Sequence, residues 1–96
     1  MILSTFNESL HANFPPELSV YLKALWFDAK DNWTSAHNLI DHLDDKKACW
    51  VHAYLHRKEG DISNADYWYN RAGKKRPSAS LHEEWEQLVQ TFLLEK

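Results

Sequence analysis

The chain has 96 residues, 44% of them hydrophobic, and a formal charge of −3, which suits one small globular domain burying roughly 60–65% of its unfolded surface. Eleven basic residues against fourteen acidic ones exclude a general attraction to nucleic acid or to acidic membranes, since both kinds of binding draw on many lysines and arginines. The single cysteine, Cys49, excludes an internal disulfide and any paired-cysteine metal pattern, and so points to a reducing compartment, the cytoplasm. Residues 1–14 lack the basic start and continuous apolar run of a secretion signal. Nothing approaches the ~20 apolar residues of a membrane span, so neither secretion nor spanning is expected.

Few helix breakers occur: two glycines and three prolines, each where a boundary is wanted, so the chain reads as all-α. A first short helix is expected over residues 2–11, carrying Ile2, Leu3, Phe6 and Leu10, and Pro15-Pro16 ends that N-terminal segment. Pro16 suits a first helical turn, so a second helix is expected from there to about Lys30, with Leu18, Tyr21, Leu22, Leu25, Trp26 and Ala29. Asp31-Asn32 makes a turn, and further helices are expected over 33–43, 46–59 and 62–72, with aspartates at 44, 45 and 61 as caps. Gly60 supplies the left-handed residue that ends one of them. The last helix, over 80–95, begins with Ser80 and Glu83, the S-x-x-E spacing of a capping box. Its Leu81, Trp85, Leu88 and Phe92 form a one-sided stripe, as expected of a lid over an open end of the stack.

A displacement of 29 residues superposes Ala24 on Ala53, Ala36 on Ala65, and Asp31-Asn32 on Gly60-Asp61. Two helical pairs on one plan follow, residues 16–43 and 46–77. In the helix over 46–59, Cys49 and Ala53, Trp50 and Tyr54, and Val51 and Leu55 take three different sides. A helix with apolar residues all round is surrounded, and this one is expected at the centre of the fold.

Ala53, Gly60, Asp61, Ala65, Tyr69, Ala72 and Pro77 match, in order and spacing, the tetratricopeptide repeat. The segment over 46–77 therefore resembles that repeat, and 16–43 resembles a degenerate copy without the turn glycine or closing proline. The fold implied is all-α: two antiparallel helical hairpins in a short right-handed stack with a C-terminal capping helix, one domain over 1–96. The chain also resembles a small uncharacterised bacterial family carrying the Trp-Val-His-Ala-Tyr-Leu-His-Arg-Lys-Glu-Gly-Asp segment found here at 50–61. The tetratricopeptide resemblance implies peptide or protein binding through a groove lined by the first helix of each hairpin. Carried over, the groove residues are Lys47, Trp50, Tyr54, Arg57 and Lys58, with Tyr21, Leu25 and Asp28 from the first copy.

The function expected is a non-catalytic interaction module for a protein or peptide, a second copy of the chain included. Its surface is drawn from Trp50, Tyr54, Arg57, Lys58, Tyr67 and Arg71, because aromatic anchors beside arginine concentrate binding energy. Asn64, Tyr67 and Arg71 form a polar–aromatic stripe at i, i+3, i+7. Arg71, Lys74, Lys75 and Arg76 gather four of the eleven basic residues in one segment, where the dipole of a helix C-terminus favours cations.

His52 and His56, four apart on one helix, stand where the repeat usually has leucine and an aromatic residue, and their spacing can chelate zinc. They support the alternative, a small metal- or histidine-dependent enzyme. A third ligand would have to come from His37, His82, Glu83 or Glu84, and the glutamate base of the H-E-x-x-H motif is missing. No catalytic residue, metal or cofactor is therefore assigned. Cys49 lies near both histidines in sequence, but a cysteine beside alanine reads as a small apolar side chain.

Overall fold

The computed structural model describes residues 1–95; Lys96, the last residue of the expected domain, lies outside them. Six helices follow one another: α1 (Leu3–Ser9), α2 (Val20–Ala29), α3 (Trp33–Ile40), α4 (Lys46–Glu59), α5 (Ile62–Arg71) and α6 (Leu81–Leu94). No strand occurs among the described residues, so the fold is all-α. None of these helices is long and apolar enough to cross a membrane.

The boundaries follow the caps. α2 starts at Val20 and not near Pro16, because the Ser19 hydroxyl accepts from the Leu22 N–H, whereas proline has no side-chain acceptor to offer. The approach to α2 is held from the far end of the same helix, where the Lys30 ammonium donates to the carbonyls of Leu10 and Ala12. α1 is shorter than expected: the Ser9 hydroxyl turns back to the Phe6 carbonyl, and tighter i→i+3 bonds end the helix there. α3 stops at Ile40, three residues before Leu43, since the chain must turn to present Asp45 as the cap of α4. At α6 the capping box forms in full, Ser80 accepting from the Glu83 N–H and Glu83 from the Ser80 N–H.

The 29-residue displacement is visible in the backbone. Asp31 and Gly60 are both left-handed, at φ 60° and 89°. The N–H groups of Asp31 and Asn32 donate to the carbonyls of Asp28 and Phe27, as those of Gly60 and Asp61 donate to Arg57 and His56. Asn32 and Asp61 then cap α3 and α5 through side-chain oxygens. Each turn returns the chain onto the helix before it, so the richest packing is α2 on α3 and α4 on α5.

α4 is the centre. Ala48, Cys49, Val51, His52, Ala53, Tyr54, Leu55 and His56 are all buried along it, and α2, α3, α5 and α6 all pack on it. The main core joins Phe6, Leu22, Leu25, Trp26, Ile40, Val51, Leu55, Trp85, Leu88 and Phe92, while Ala53, Ala65 and Tyr69 form a second cluster between α4 and α5. α6 packs on α1, α2 and α4. The Trp85 indole N–H donates to the Leu25 carbonyl, and the Phe92 ring lies against those of Tyr21 and Trp50.

Ala65 is wholly buried and brings α5 close to α4. Leucine there has no space to enter, and Ala65→Leu should destabilise the fold by about 1–3 kcal/mol in chemical denaturation. An unchanged midpoint would contradict this packing.

Candidate functional site

Four of the six residues expected to face a partner are turned toward two buried carboxylates of the chain itself. Glu84, wholly buried on α6, accepts from Arg57 Nη1 at 2.8 Å, from the Trp50 indole N–H at 3.2 Å and from the Tyr69 hydroxyl, 2.7 Å from both carboxylate oxygens. The second terminal nitrogen of Arg57 donates to the Ala79 carbonyl. On α2, Asp28 accepts from Lys58 Nζ at 2.9 Å and from the Tyr54 hydroxyl at 3.1 Å. A buried charge is tolerated only when paired and hydrogen-bonded, and both carboxylates are. Burial, then the neighbouring carboxylate, pushes the Tyr54 and Tyr69 phenols far above their ordinary value, so both remain donors.

The expected binding surface is corrected accordingly. Tyr54 is 2% exposed, and its hydroxyl is held by Asp28. Trp50 is half-buried, and Arg57 is committed to Glu84. Tyr21, Leu25 and Trp50 of the expected groove lie against α6. Only the rim of that surface is open, where Asp28, Ala29, Tyr54 and Lys58 meet Trp85 and Glu86 around a shallow cleft of about 490 Å³.

Tyr67 and Arg71 do stand at the surface. Tyr67 is 55% exposed, and the Arg71 guanidinium lies 5.0 Å from the Trp68 ring and 5.8 Å from the Tyr67 ring. Lys74 in the next loop lies 4.2 Å over Trp50. Lys46 reaches toward Gly73, within 3.9 Å of where a Cβ would stand. Among the described residues no carboxylate pairs with Lys46, Arg71, Lys74 or Lys75, whereas Arg76 pairs with Asp66. Two clefts of about 420 and 560 Å³ flank Lys74 and Lys75, with Trp50, Gln87 and Thr91 on one side and Asp66 and Asn70 on the other.

Beside this patch, across the Trp68 ring, three histidines converge. His52 and His56 come from α4, and His37 reaches them from α3, which Trp33 fastens to α4 by donating its indole N–H to the Leu55 carbonyl at 2.8 Å. Nε2 of His37 and Nε2 of His52 are 3.0 Å apart, and one nitrogen from each of the three rings lies within 4.8 Å of the others. Trp33 stacks on His37 and Trp68 on His52, at 4.8 and 3.9 Å between centroids. His56 Nδ1 is 2.6 Å from a Glu59 oxygen, its Nε2 3.3 Å from the Asn64 amide, and His37 Nδ1 is 3.8 Å from Asp41.

Burial, reinforced by the neighbouring rings of His37 and His56, lowers His52 to about 4; burial and His56 also lower His37. His37 and His52 are thus neutral near pH 7. Sequence spacing showed two of these histidines. The third, His37, was one of four candidates for that place, and spacing alone did not single it out. The other expected ligands are elsewhere: His82 faces Glu86, Glu83 caps α6, and Glu84 holds Arg57. Cys49 is buried with its thiol on the Asp44 carbonyl, and burial pushes that thiol up, away from nucleophilic use.

No family model, curated protein or solved structure matches the chain, so no function transfers to it from a relative.

Arg57→Ala would leave the Glu84 carboxylate buried and short of its cation, and should cost about 3–5 kcal/mol in chemical denaturation. Lys58→Ala should cost clearly less, because its side chain is 35% exposed and Tyr54 still donates to Asp28. Equal losses would contradict the ranking.

His52 titrates near 6.5 in the unfolded chain and near 4 in the fold. The unfolded state therefore binds more protons between those values, and stability should be complete above about pH 6.5 and fall toward pH 4, on the order of 2–3 kcal/mol. Melting temperatures across that interval, compared with His52→Gln, check it: the variant should lose most of the slope.

Proposed function

We propose that this chain is a non-catalytic interaction module that binds an acidic, extended segment of a partner protein around the C-terminal turn of α5 and the loop that follows. The observation that carries the reading is the group of cations Lys46, Arg71, Lys74 and Lys75, without a carboxylate partner among the described residues, set beside the exposed ring of Tyr67 and the half-buried rings of Trp68 and Trp50. A cation stacked on an aromatic face is already oriented, so less side-chain entropy is lost when a carboxylate arrives. Tyrosine, tryptophan and arginine together are the residues in which interface energy concentrates. The net charge of −3 argues against a long polyanion and for a short acidic stretch, with the clefts beside Lys74 and Lys75 accommodating its side chains.

The shared geometry of the Asp31 and Gly60 turns supports the tetratricopeptide-like reading of the scaffold. In that reading α6 takes the place that a bound peptide has in the groove of such domains, with Glu84 as the acidic group received there. The surface left for a partner is then the α5 end.

The test is a titration with a glutamate-rich peptide, read by tryptophan fluorescence because Trp50 and Trp68 lie under the two stacked cations. Binding should weaken with salt, and Arg71→Glu with Lys74→Glu should weaken it at least about tenfold, roughly 1.4 kcal/mol, with the melting temperature nearly unchanged. Affinity that survives both reversals would overturn the reading. Preferential binding of single-stranded RNA would replace it with a nucleic-acid one.

A further inference from the structure

We propose that His37, His52 and His56 form a site for one divalent transition-metal ion, zinc in first place, that bridges α3 to α4. The inference is independent of the acidic-segment reading. It starts from the donor set: three imidazoles and no thiolate, which suits zinc, copper, nickel or cobalt and not magnesium or calcium. Zinc–nitrogen bonds of about 2.0–2.1 Å in a tetrahedron set their nitrogens roughly 3.3 Å apart. The nitrogens here span 3.0 Å to at most 4.8 Å, so ring rotations of modest size bring all three onto one ion.

The surroundings of the rings are those a metal-binding histidine uses. Glu59 lies on Nδ1 of His56 and Asp41 near Nδ1 of His37, so each carboxylate favours the proton on Nδ1 and leaves the Nε2 lone pair for an ion. Zinc at His56 Nε2 would displace the Asn64 amide, held at 3.3 Å. His52 is more than nine-tenths buried, yet its Nδ1 has no hydrogen-bond partner among the described residues and its Nε2 meets only His37. A buried polar atom without a partner is unusual in a folded protein, and here it belongs to a ring of the cluster. Trp33 and Trp68 wall off His37 and His52 by stacking, while His37 keeps 21% of its side chain exposed. Water can therefore enter to take the fourth position. The second group of candidate ligands, His56, Glu59 and Asp61, has two exposed carboxylates and lacks this enclosure.

Full-length protein without an affinity tag, stripped with a chelator, would be titrated with Zn2+ and separately with Co2+, whose visible absorption reports four-coordinate nitrogen ligation. One equivalent should bind, with the melting temperature raised by roughly 5–15 °C at saturation. His37→Gln, at the partly exposed position, should fold without metal and lose at least about a hundredfold in affinity, and Glu59→Gln should weaken binding by about 10–100-fold. His52→Ala serves as a second ligand variant, judged only if its circular dichroism matches the parent. Three results would each overturn the proposal: no saturable binding at zinc concentrations several times that of the protein, unchanged binding in His37→Gln, or dependence on Asp61 instead of His37.

Discussion

The charge of Glu84, sealed in the interior, is the constraint on which the rest of the structure depends. A bare carboxylate cannot remain there, so donors must arrive from the helices around it: Arg57 and Trp50 from α4 and Tyr69 from α5. Each donor has a fixed place on its own helix. Meeting one carboxylate together therefore fixes the rotation and height of α6 over α4, which apolar contacts alone leave freer. Arg57 also reaches the Ala79 carbonyl, so the same side chain sets where the loop before α6 must end. Once α6 is placed, its Trp85 and Phe92 cover Leu25, Tyr21 and Trp50, and the side of the stack is closed.

α4 carries this out with a strict division of its circumference. Its last turn sends Arg57 to α6 and Lys58 to Asp28 on α2, so adjacent residues bind two different helices. Ala53 lets α5 approach, and His52 and His56 meet α3. Nearly every polar side chain on this buried helix has a specific partner, which costs desolvation but rules out a rotated packing in which those groups would be stranded. Among the buried side-chain nitrogens and oxygens of the described residues, His52 Nδ1 is the exception.

Features set by local chemistry were legible in the sequence. Ser80 with Glu83, Asp45, Asp61 and Gly60 each act within a few residues of themselves, and each does what its type suggested. The surrounded position of α4 could also be read, because three apolar sides on one helix have no other solution. What failed was the direction of long polar side chains. Trp50, Tyr54, Arg57 and Lys58 have the composition of a recognition surface, and they do recognise carboxylates, but those of Glu84 and Asp28, 34, 26, 27 and 30 residues away respectively. Composition gives the chemistry of such a surface without saying whether its ligand belongs to another molecule. His37 was one of four candidates for a third ligand and could not be singled out for a related reason: its partners lie 15 and 19 residues further along, and only the packing of α3 on α4 brings them together.

The bond from the Trp85 indole to the Leu25 carbonyl joins residues 60 apart, the widest span of any side-chain hydrogen bond described above. The α2–α3 and α4–α5 pairs close over turns of three and two residues and can form as soon as their own sequence is available, whereas α6 can dock only when both pairs stand in place. On a ribosome, where the chain emerges from its N-terminal side, α6 is also the last of the six helices to appear. Until then Leu25, Trp50 and Phe6 are without their cover and Arg57 is without its acid. The nascent molecule thus passes through an interval in which an apolar strip with a cation at its edge is open to any acidic amphipathic helix, a chaperone's included, and the arrival of α6 brings that competition to an end.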